Sequence, residues 1–423
     1  MHDVRELIND GPVAAARLAR RGYELQLEPI AAAAGRRTAA MQRLAELRGA
    51  LKRASRGSQD AARQASRQLR AQIQQAQAEV QEAERYLSEL TLTIPNLPMD
   101  EVPDGFSEKE AVEIRRGGPD PVPVDEARHH ALVGERLAVL DMTAAAKLSG
   151  ARFSVARAAG ARLGRALAAL FLDLHTERFG YVELSVPYLV TRQTMTGTGQ
   201  LPKFEDDLFT TRAGDRELIL IPTAEVPLVN MYAGNVLDVR KLPIALTALS
   251  PCFRAEAGSY GRDSRGVLRL HQFEKVELVR ICAVENARSQ LELMLRHAEE
   301  CLRLLELSYR VLLLPAGDLG FAARITYDLE VWLPGGGAYR EISSVSDCGT
   351  FQSRRAGIRV RARDGGKGPV ATLNGSALPI GRTIAALLEQ RLQPDGSVLL
   401  PEALVPYAGF RRILPDGTMS REP

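Results

Sequence analysis

From residue 40 to residue 90 the apolar side chains recur at alternating spacings of four and three. They run Ala40, Leu44, Leu47, Leu51 and Ala54, and then Ala62, Ser66, Leu69, Ile73, Ala76, Val80, Ala83, Leu87 and Leu90. This is the narrow seam of a coiled coil. Between the two runs stands Arg56-Gly57-Ser58, a break that a continuous helix would not tolerate cheaply. The pattern predicts two antiparallel helices joined by a tight turn. Arms of roughly 30 residues reach on the order of 45 Å at about 1.5 Å per residue.

The charge of the chain is concentrated on that hairpin. Arg36, Arg37, Arg43, Arg48, Lys52, Arg53, Arg56, Arg63, Arg67 and Arg70 face only Glu46 and Asp60, an excess of +8 in a chain whose net charge is +3. The remainder is therefore acidic, and the positive residues cluster toward the turn. Two readings of the tip stand: a solvated hairpin that packs on a partner protein, or a positive tip that tracks a phosphate backbone.

Thr91 to Val102 leads to Pro103 through Pro95 and Pro98, which cannot continue the helix and read as a linker. The expected division is a helical hairpin and linker over 1–103 and a second domain over 104–423. In the second domain, β-rich runs alternate with helices and Gly-rich turns. The runs are Val182 to Val190, Glu217 to Ile221, Leu268 to Ile281, Tyr309 to Leu314 and Thr326 to Leu333, and Gly160 to Phe179 reads as a long amphipathic helix. The expected class is α+β around an antiparallel sheet, not a doubly wound fold. No run of 18 apolar residues could cross a membrane, and the first residues lack an apolar targeting core. Cys252, Cys282, Cys301 and Cys348 are far apart, without a CxxC pair, and read as reduced thiols.

Four stretches place charge inside otherwise apolar strands. They are Thr223-Ala224-Glu225; Arg254-Ala255-Glu256 with a return run carrying Arg269, His271, Phe273 and Glu277; Glu341-Ile342-Ser343-Ser344; and Ser376 to Arg382 at the start of a helix. Taken singly, each has a plain reading: an Arg-x-Glu cross-strand pair, an alternating strand, a turn serine, a strand-face His271, and a Glu389 on a solvated helix face. Together they suit attack of a carboxylate on the α-phosphate of ATP, where the nucleophile is already ionised and catalysis consists of positioning and charge stabilisation. Bidentate arginines suit phosphate and carboxylate, Glu341 offers oxygen to magnesium, Phe273 can stack a purine, and Glu277 suits an ammonium. Neither GxxxxGK[ST] nor a strand-linked GxGxxG occurs.

Several longer stretches carry a resemblance. Gly180-Tyr-Val-Glu-Leu-Ser-Val-Pro187, Gly197-Thr-Gly-Gln-Leu-Pro-Lys-Phe204, Phe253-Arg254-Ala255-Glu256, Gly261-Arg-Asp-Ser-Arg-Gly266, Arg269-Leu-His-Gln-Phe273, Thr326-Tyr-Asp-Leu-Glu-Val-Trp332 and Gly381-Arg382 follow in order. With the hairpin ahead of them, the chain resembles the bacterial-type seryl-tRNA synthetases of class II over nearly its whole length. The resemblance implies a homodimer in the cytoplasm that activates L-serine with ATP and Mg2+ and transfers serine to tRNA(Ser), and to tRNA(Sec). It implies an antiparallel sheet flanked by helices. Thr223, Ala224, Glu225, Glu277 and Ser376 match the serine pocket. Arg254, Ala255, Glu256, Phe273, Glu341, Ile342, Ser343, Ser344 and Arg382 match the ATP site, with Arg254, Glu341 and Arg382 catalytic and with Glu341 and Ser344 as metal ligands. Arg48, Lys52, Arg53, Arg56, Arg63 and Arg67 would then contact tRNA.

Two stretches depart from the family pattern, Ser346-Asp347-Cys348-Gly349-Thr350-Phe351-Gln352 and Asn374-Gly375-Ser376-Ala377-Leu378-Pro379. Ala377 would add a methyl at the wall of the serine pocket, and Pro379 would stiffen the turn toward Arg382. A specialised paralogue, inhibitor-tolerant or serving a secondary pathway, is therefore one alternative. An inactive RNA-binding homologue is another, opposed by the retained Arg254, Glu277, Glu341 and Arg382. A ligase that charges carrier proteins would lack the hairpin.

Overall fold

A computed structural model of the chain describes residues 1–54, 60–257, 265–362 and 365–422. Arg56 with the expected turn, the side chain of Arg63 and Gly261 to Ser264 lie outside the described residues. The chain forms two compact units, Met1–Leu97 and Pro98–Pro423.

In the first unit, α1 (Leu27–Ala54) and α2 (Asp60–Leu92) are the two arms, of 28 and 33 residues. Their seam follows the four-three spacing: Leu44, Ala76 and Leu87 are buried, while Leu47, Leu51, Leu69, Ile73 and Val80 are half-buried. Ion pairs Arg37–Glu84 (3.1 Å) and Arg43–Glu79 (3.7 Å) cross between the arms, and their exposure limits their contribution to stability. At the base, Leu7 and Leu18 from two short helices pack with Ile30, Leu87 and Ile94. Arg48, Lys52, Arg53 and Arg67 are exposed on the arms.

The division falls at Leu97/Pro98, a few residues before 103, because residues 98–103 pack with the second unit. There the Met99 amide donates to the Arg324 carbonyl (2.9 Å) and Val102 is buried.

The second unit is built on an eight-stranded sheet. In chain order its strands are β1 (Val112–Gly117), β2 (Val182–Glu183), β3 (Ile244–Phe253), β4 (Gln272–Cys282), β5 (Tyr309–Leu313), β6 (Ile325–Leu333), β7 (Ala338–Asp347) and β8 (Ala371–Pro379). The spatial order is β1-β5-β6-β7-β8-β4-β3-β2. Every pairing is antiparallel except that of the edge strand β2 with β3. Helices α3 (Ala159–Asp173), α4 (Ala287–Leu304) and α5 (Ile380–Gln390) contribute Leu163, Leu167, Leu291, Leu295 and Leu387 to the large apolar cluster on one face. Along β4 the side chains alternate: Val276 and Leu278 enter that cluster, whereas Val279 and Ile281 enter a second one with Ala224, Leu228 and Ala248.

Three expectations are corrected. The run from Val182 to Val190 is not one strand: Val182–Glu183 edges the large sheet, and Leu189–Val190 joins a separate three-stranded sheet with Arg216–Leu220. Pro187 between them has no amide to offer a ladder. The strand expected from Leu268 starts only at Gln272, because the Leu268 carbonyl is taken by the Arg382 side chain (3.0 Å). Glu389, expected on a solvated face of α5, is wholly buried. No described helix is long and apolar enough to cross a membrane.

Candidate active site

The pleat of β4 places Phe273, Lys275 and Glu277 on the face shared with Val279 and Ile281. On the neighbouring strands, Ser376 lies opposite Glu277 in β8, and Cys252, Ser250 and Ala248 lie opposite the three β4 residues in β3. The buried Lys275 ammonium pairs with the Glu277 carboxylate and donates to Ser376 Oγ (2.9 Å). Burial pushes the Glu277 carboxyl up, and Lys275 and the Thr223 hydroxyl counter that push without cancelling it.

Glu225 begins a short helix, Glu225–Asn230, and its amide donates to Thr223 Oγ (3.2 Å). Its Oε1 accepts from Gln352 Nε2 (2.6 Å) and Asn374 Nδ2 (3.0 Å). Burial, aided by the like charge of Glu277, pushes the Glu225 carboxyl up to about 7. Thr223, Glu225, Glu277 and Ser376 thus meet around Lys275. Ala224 is packed in the apolar cluster beneath them and offers only its backbone.

A cleft continues from this pocket and is lined by Arg254, Glu256, Phe273, Lys275, Glu341, Ile342, Ser376 and Arg382. The Arg254 guanidinium lies 5.2 Å from the Phe273 ring centroid, and Arg254 Nε approaches the Pro222 carbonyl (3.4 Å). Glu256 pairs with Arg269. Ala255 is anchored by its amide on the Asp207 carbonyl (2.9 Å). Arg382 donates to the Glu341 carbonyl (2.6 Å) and lies 3.4 Å from its carboxylate. Burial raises the Glu341 carboxyl, but Arg382 and Arg254 outweigh it and the net shift is downward. Ser343 is turned away from the cleft, donating to the Ser376 carbonyl (2.6 Å) across β7 and β8.

Behind Glu341 the sheet sets carboxylates against one another. Glu341 faces Glu330 across β6 and β7, and Ser344 faces Asp328. Ser344 Oγ donates to Asp328 Oδ1 (2.6 Å) and reaches Glu341 Oε1 (3.4 Å). Burial, then the charge of Glu341, drives the Asp328 carboxyl well above the usual range. Oxygen ligands with crowded negative charge fit a hard divalent cation, which would relieve the repulsion.

Sequence reasoning missed Lys275, although it stands two residues from Phe273 and from Glu277 in a strand, where period two puts all three on one side. It missed Asp328 for the same reason of register. Gln352 and Asn374 come from distant elements and carried no local signal. The constriction expected from Ala377 is not found. Ser376 and Pro379 line the cleft, whereas a bulge between them turns Ala377 into the core, where its carbonyl accepts from Cys301 Sγ (3.9 Å). All four cysteines are buried free thiols.

Residues 204–391 match the family described as tRNA synthetase class II core domain (G, H, P, S and T). Serine–tRNA ligase 2 of Streptomyces avermitilis is 65% identical over 99% of this chain and 99% of its own length. The crystal structure of seryl-tRNA synthetase from Pyrococcus horikoshii complexed with ATP superposes with a TM-score of 0.86 at 32% identity, covering 98% of this chain and 100% of that one. The cytoplasmic serine–tRNA ligase from Naegleria fowleri, in complex with AMP, gives a TM-score of 0.84 at 25% identity, covering 99% and 97%. With a helical arm ahead of an antiparallel sheet, and with near-complete coverage by relatives of one activity, the chain belongs to the seryl-tRNA synthetases, the ATP-dependent class II ligases that join serine to tRNA.

Proposed function

We propose that the cleft makes seryl-adenylate by holding the two substrates at adjoining ends. The observation that carries the residue assignment is the continuity of the Arg254–Phe273–Arg382 cleft with the Glu277–Lys275–Ser376 pocket. Glu277 receives the serine ammonium, and Thr223, Glu225 and Ser376 surround the hydroxyl. Phe273 stacks the adenine, Glu256 borders it, and Arg254 bridges the serine carboxylate and the α-phosphate. The carboxylate oxygen attacks phosphorus in line and pyrophosphate departs toward Arg382, with no proton to remove from the nucleophile. Glu341 and Ser344, backed by Asp328, hold Mg2+, which when bound offsets charge on the phosphate oxygens.

The exposed Arg48, Lys52, Arg53 and Arg67, with Arg56 and Arg63, bind the tRNA(Ser) backbone, and tRNA(Sec) by the same contacts. The working form is a homodimer in the cytoplasm. Serine-dependent exchange of pyrophosphate into ATP, with Arg254→Ala as control, tests the assignment. Unchanged exchange in the variant refutes it.

A second reading, a specialised copy, is favoured by the number in the Streptomyces avermitilis relative's name and by Pro379 at the cleft wall. Bulky seryl-adenylate mimics should then inhibit a Pro379→Ala variant more tightly than the parent. Equal inhibition constants leave an ordinary enzyme.

A further inference from the structure

His129, His130 and Glu389 approach within 4.8 Å of one another, a spacing that could suggest a metal. The ligand atoms are, however, engaged. His130, wholly buried, has Nδ1 2.7 Å from Glu389 Oε1, and the same oxygen accepts from the His130 amide (3.0 Å). Glu389 Oε2 accepts from the Gly335 amide (2.7 Å), and His129 Nδ1 accepts from the Ala131 amide (3.3 Å). The other ring nitrogen of His130, Nε2, lies 3.2 Å from the backbone amide of Val267. An amide can only donate, so Nε2 is the acceptor and Nδ1 carries the proton toward the carboxylate. Carboxylate, imidazole and backbone amide form one directed chain.

That chain ends on the segment that forms one wall of the ATP cleft. Val267, Leu268 and Arg269 line the cleft, Arg269 pairs with Glu256, and β4 with Phe273 follows. From the other side, Arg382 Nε donates to the Leu268 carbonyl (3.0 Å). Arg382 and Glu389 stand seven residues apart on α5, so one helix grips two consecutive residues of the segment, directly at the Leu268 carbonyl and through His130 at the Val267 amide. The glycine at 266 testifies to the closeness of the fit: its φ is +82°, and a Cβ there would stand 2.0 Å from His130 Nε2.

We infer that His130, oriented by Glu389, is a positioning residue of the ATP site that sets the placement of the 266–269 segment relative to Arg382. It touches no substrate and acts through the Val267 amide. The inference rests on the assignment of this cleft to ATP given above. It predicts that damage at His130 is felt by ATP and not by serine, whose pocket residues Thr223, Glu225, Glu277 and Ser376 lie outside the 266–269 segment.

Steady-state pyrophosphate exchange on the full chain tests this with paired variants. His130→Gln keeps an acceptor oxygen near the place of Nε2, whereas His130→Asn keeps a donor toward Glu389 but withdraws the acceptor from Val267. The Asn variant should raise KM for ATP about 10-fold, the scale of one missing hydrogen bond, with KM for serine nearly constant. The Gln variant should recover most of that loss. Gly266→Ala, which presses the same contact from the segment side, should raise KM for ATP likewise and answers the question if His130→Asn does not fold. Equal KM for ATP in the Asn and Gln variants, a parallel rise in KM for serine, or an unaltered Gly266→Ala enzyme would overturn the inference. Phe273→Ala separates the two levels. If it raises KM for ATP while His130→Asn does not, only the positioning role fails; if neither does, the ATP assignment fails.

Discussion

The arm and the sheet handle charge in opposite ways. Along α1 and α2 most of the described charged side chains are exposed, the ion pairs between the arms are solvated, and the packing is a single stripe between two helices. Against the sheet, Lys275 and Glu277 of β4 and Glu225 of the short helix beside it are buried and answer to one another. A solvated charge is screened and works additively on a polyanion, whereas a buried one is fixed in place by partners that must all be present. The first arrangement suits binding of a backbone; the second suits selection of a small zwitterion.

The sharpest break between the regions comes from removing the arm. Replacing Ala40 to Ile73 by a short turn leaves intact the base cluster of Leu7, Leu18, Ile30, Leu87 and Ile94. Pyrophosphate exchange should persist while aminoacylation of tRNA is abolished, measured side by side on one preparation. Persistent charging would make the arm a protein-contact element.

Arg254→Ala strikes the other region. On the proposed assignment it removes a pre-organised donor to the developing phosphate charge, which should cost on the order of 3 kcal/mol, or about 100-fold or more in exchange rate. Binding of tRNA, followed by filter retention, should not change.

A smaller effect follows from pH. In the folded chain the Glu225 carboxyl holds its proton up to about 7, above its ordinary value. A carboxyl raised in this way stabilises the fold below its unfolded value and loses that contribution as pH climbs toward 7. The serine ammonium, held by Glu277 beside it, favours the ionised form of Glu225, so the binding trend runs the other way. KM for serine should fall between pH 6 and pH 8, by roughly 10-fold if serine binds only when Glu225 is ionised. Glu225→Gln should flatten the profile.

The least dramatic change is on the arm surface. Arg48→Glu and Arg67→Glu should each flatten the dependence of log binding constant on log salt by roughly 0.7–0.9 for every phosphate left without its cation. Exchange should be untouched, in contrast with any change around Lys275.

The same contrast explains what was legible in the sequence. The arm is written in local spacing, and Leu44, Ala76 and Leu87 are buried where the four-three rhythm places them. Strands such as Tyr309–Leu313 and Ile325–Leu333 were legible for the same reason. Pairings set by tertiary packing were not. Gln352 and Asn374 converge on Glu225 from separate elements, and Glu389 looked solvated because nothing local announces that His130 and Gly335 close over it. The resemblance named the cleft residues; the structure adds Lys275 among them and turns Ala377 into the core.

On the proposed assignment one cleft both selects serine and activates it with ATP. Pyrophosphate exchange measured with each of the common amino acids in turn, without tRNA, tests it most directly. Exchange with serine alone, abolished by Arg254→Ala, is the predicted result. Exchange that ignores the amino acid, or that favours one other than serine, would contradict it.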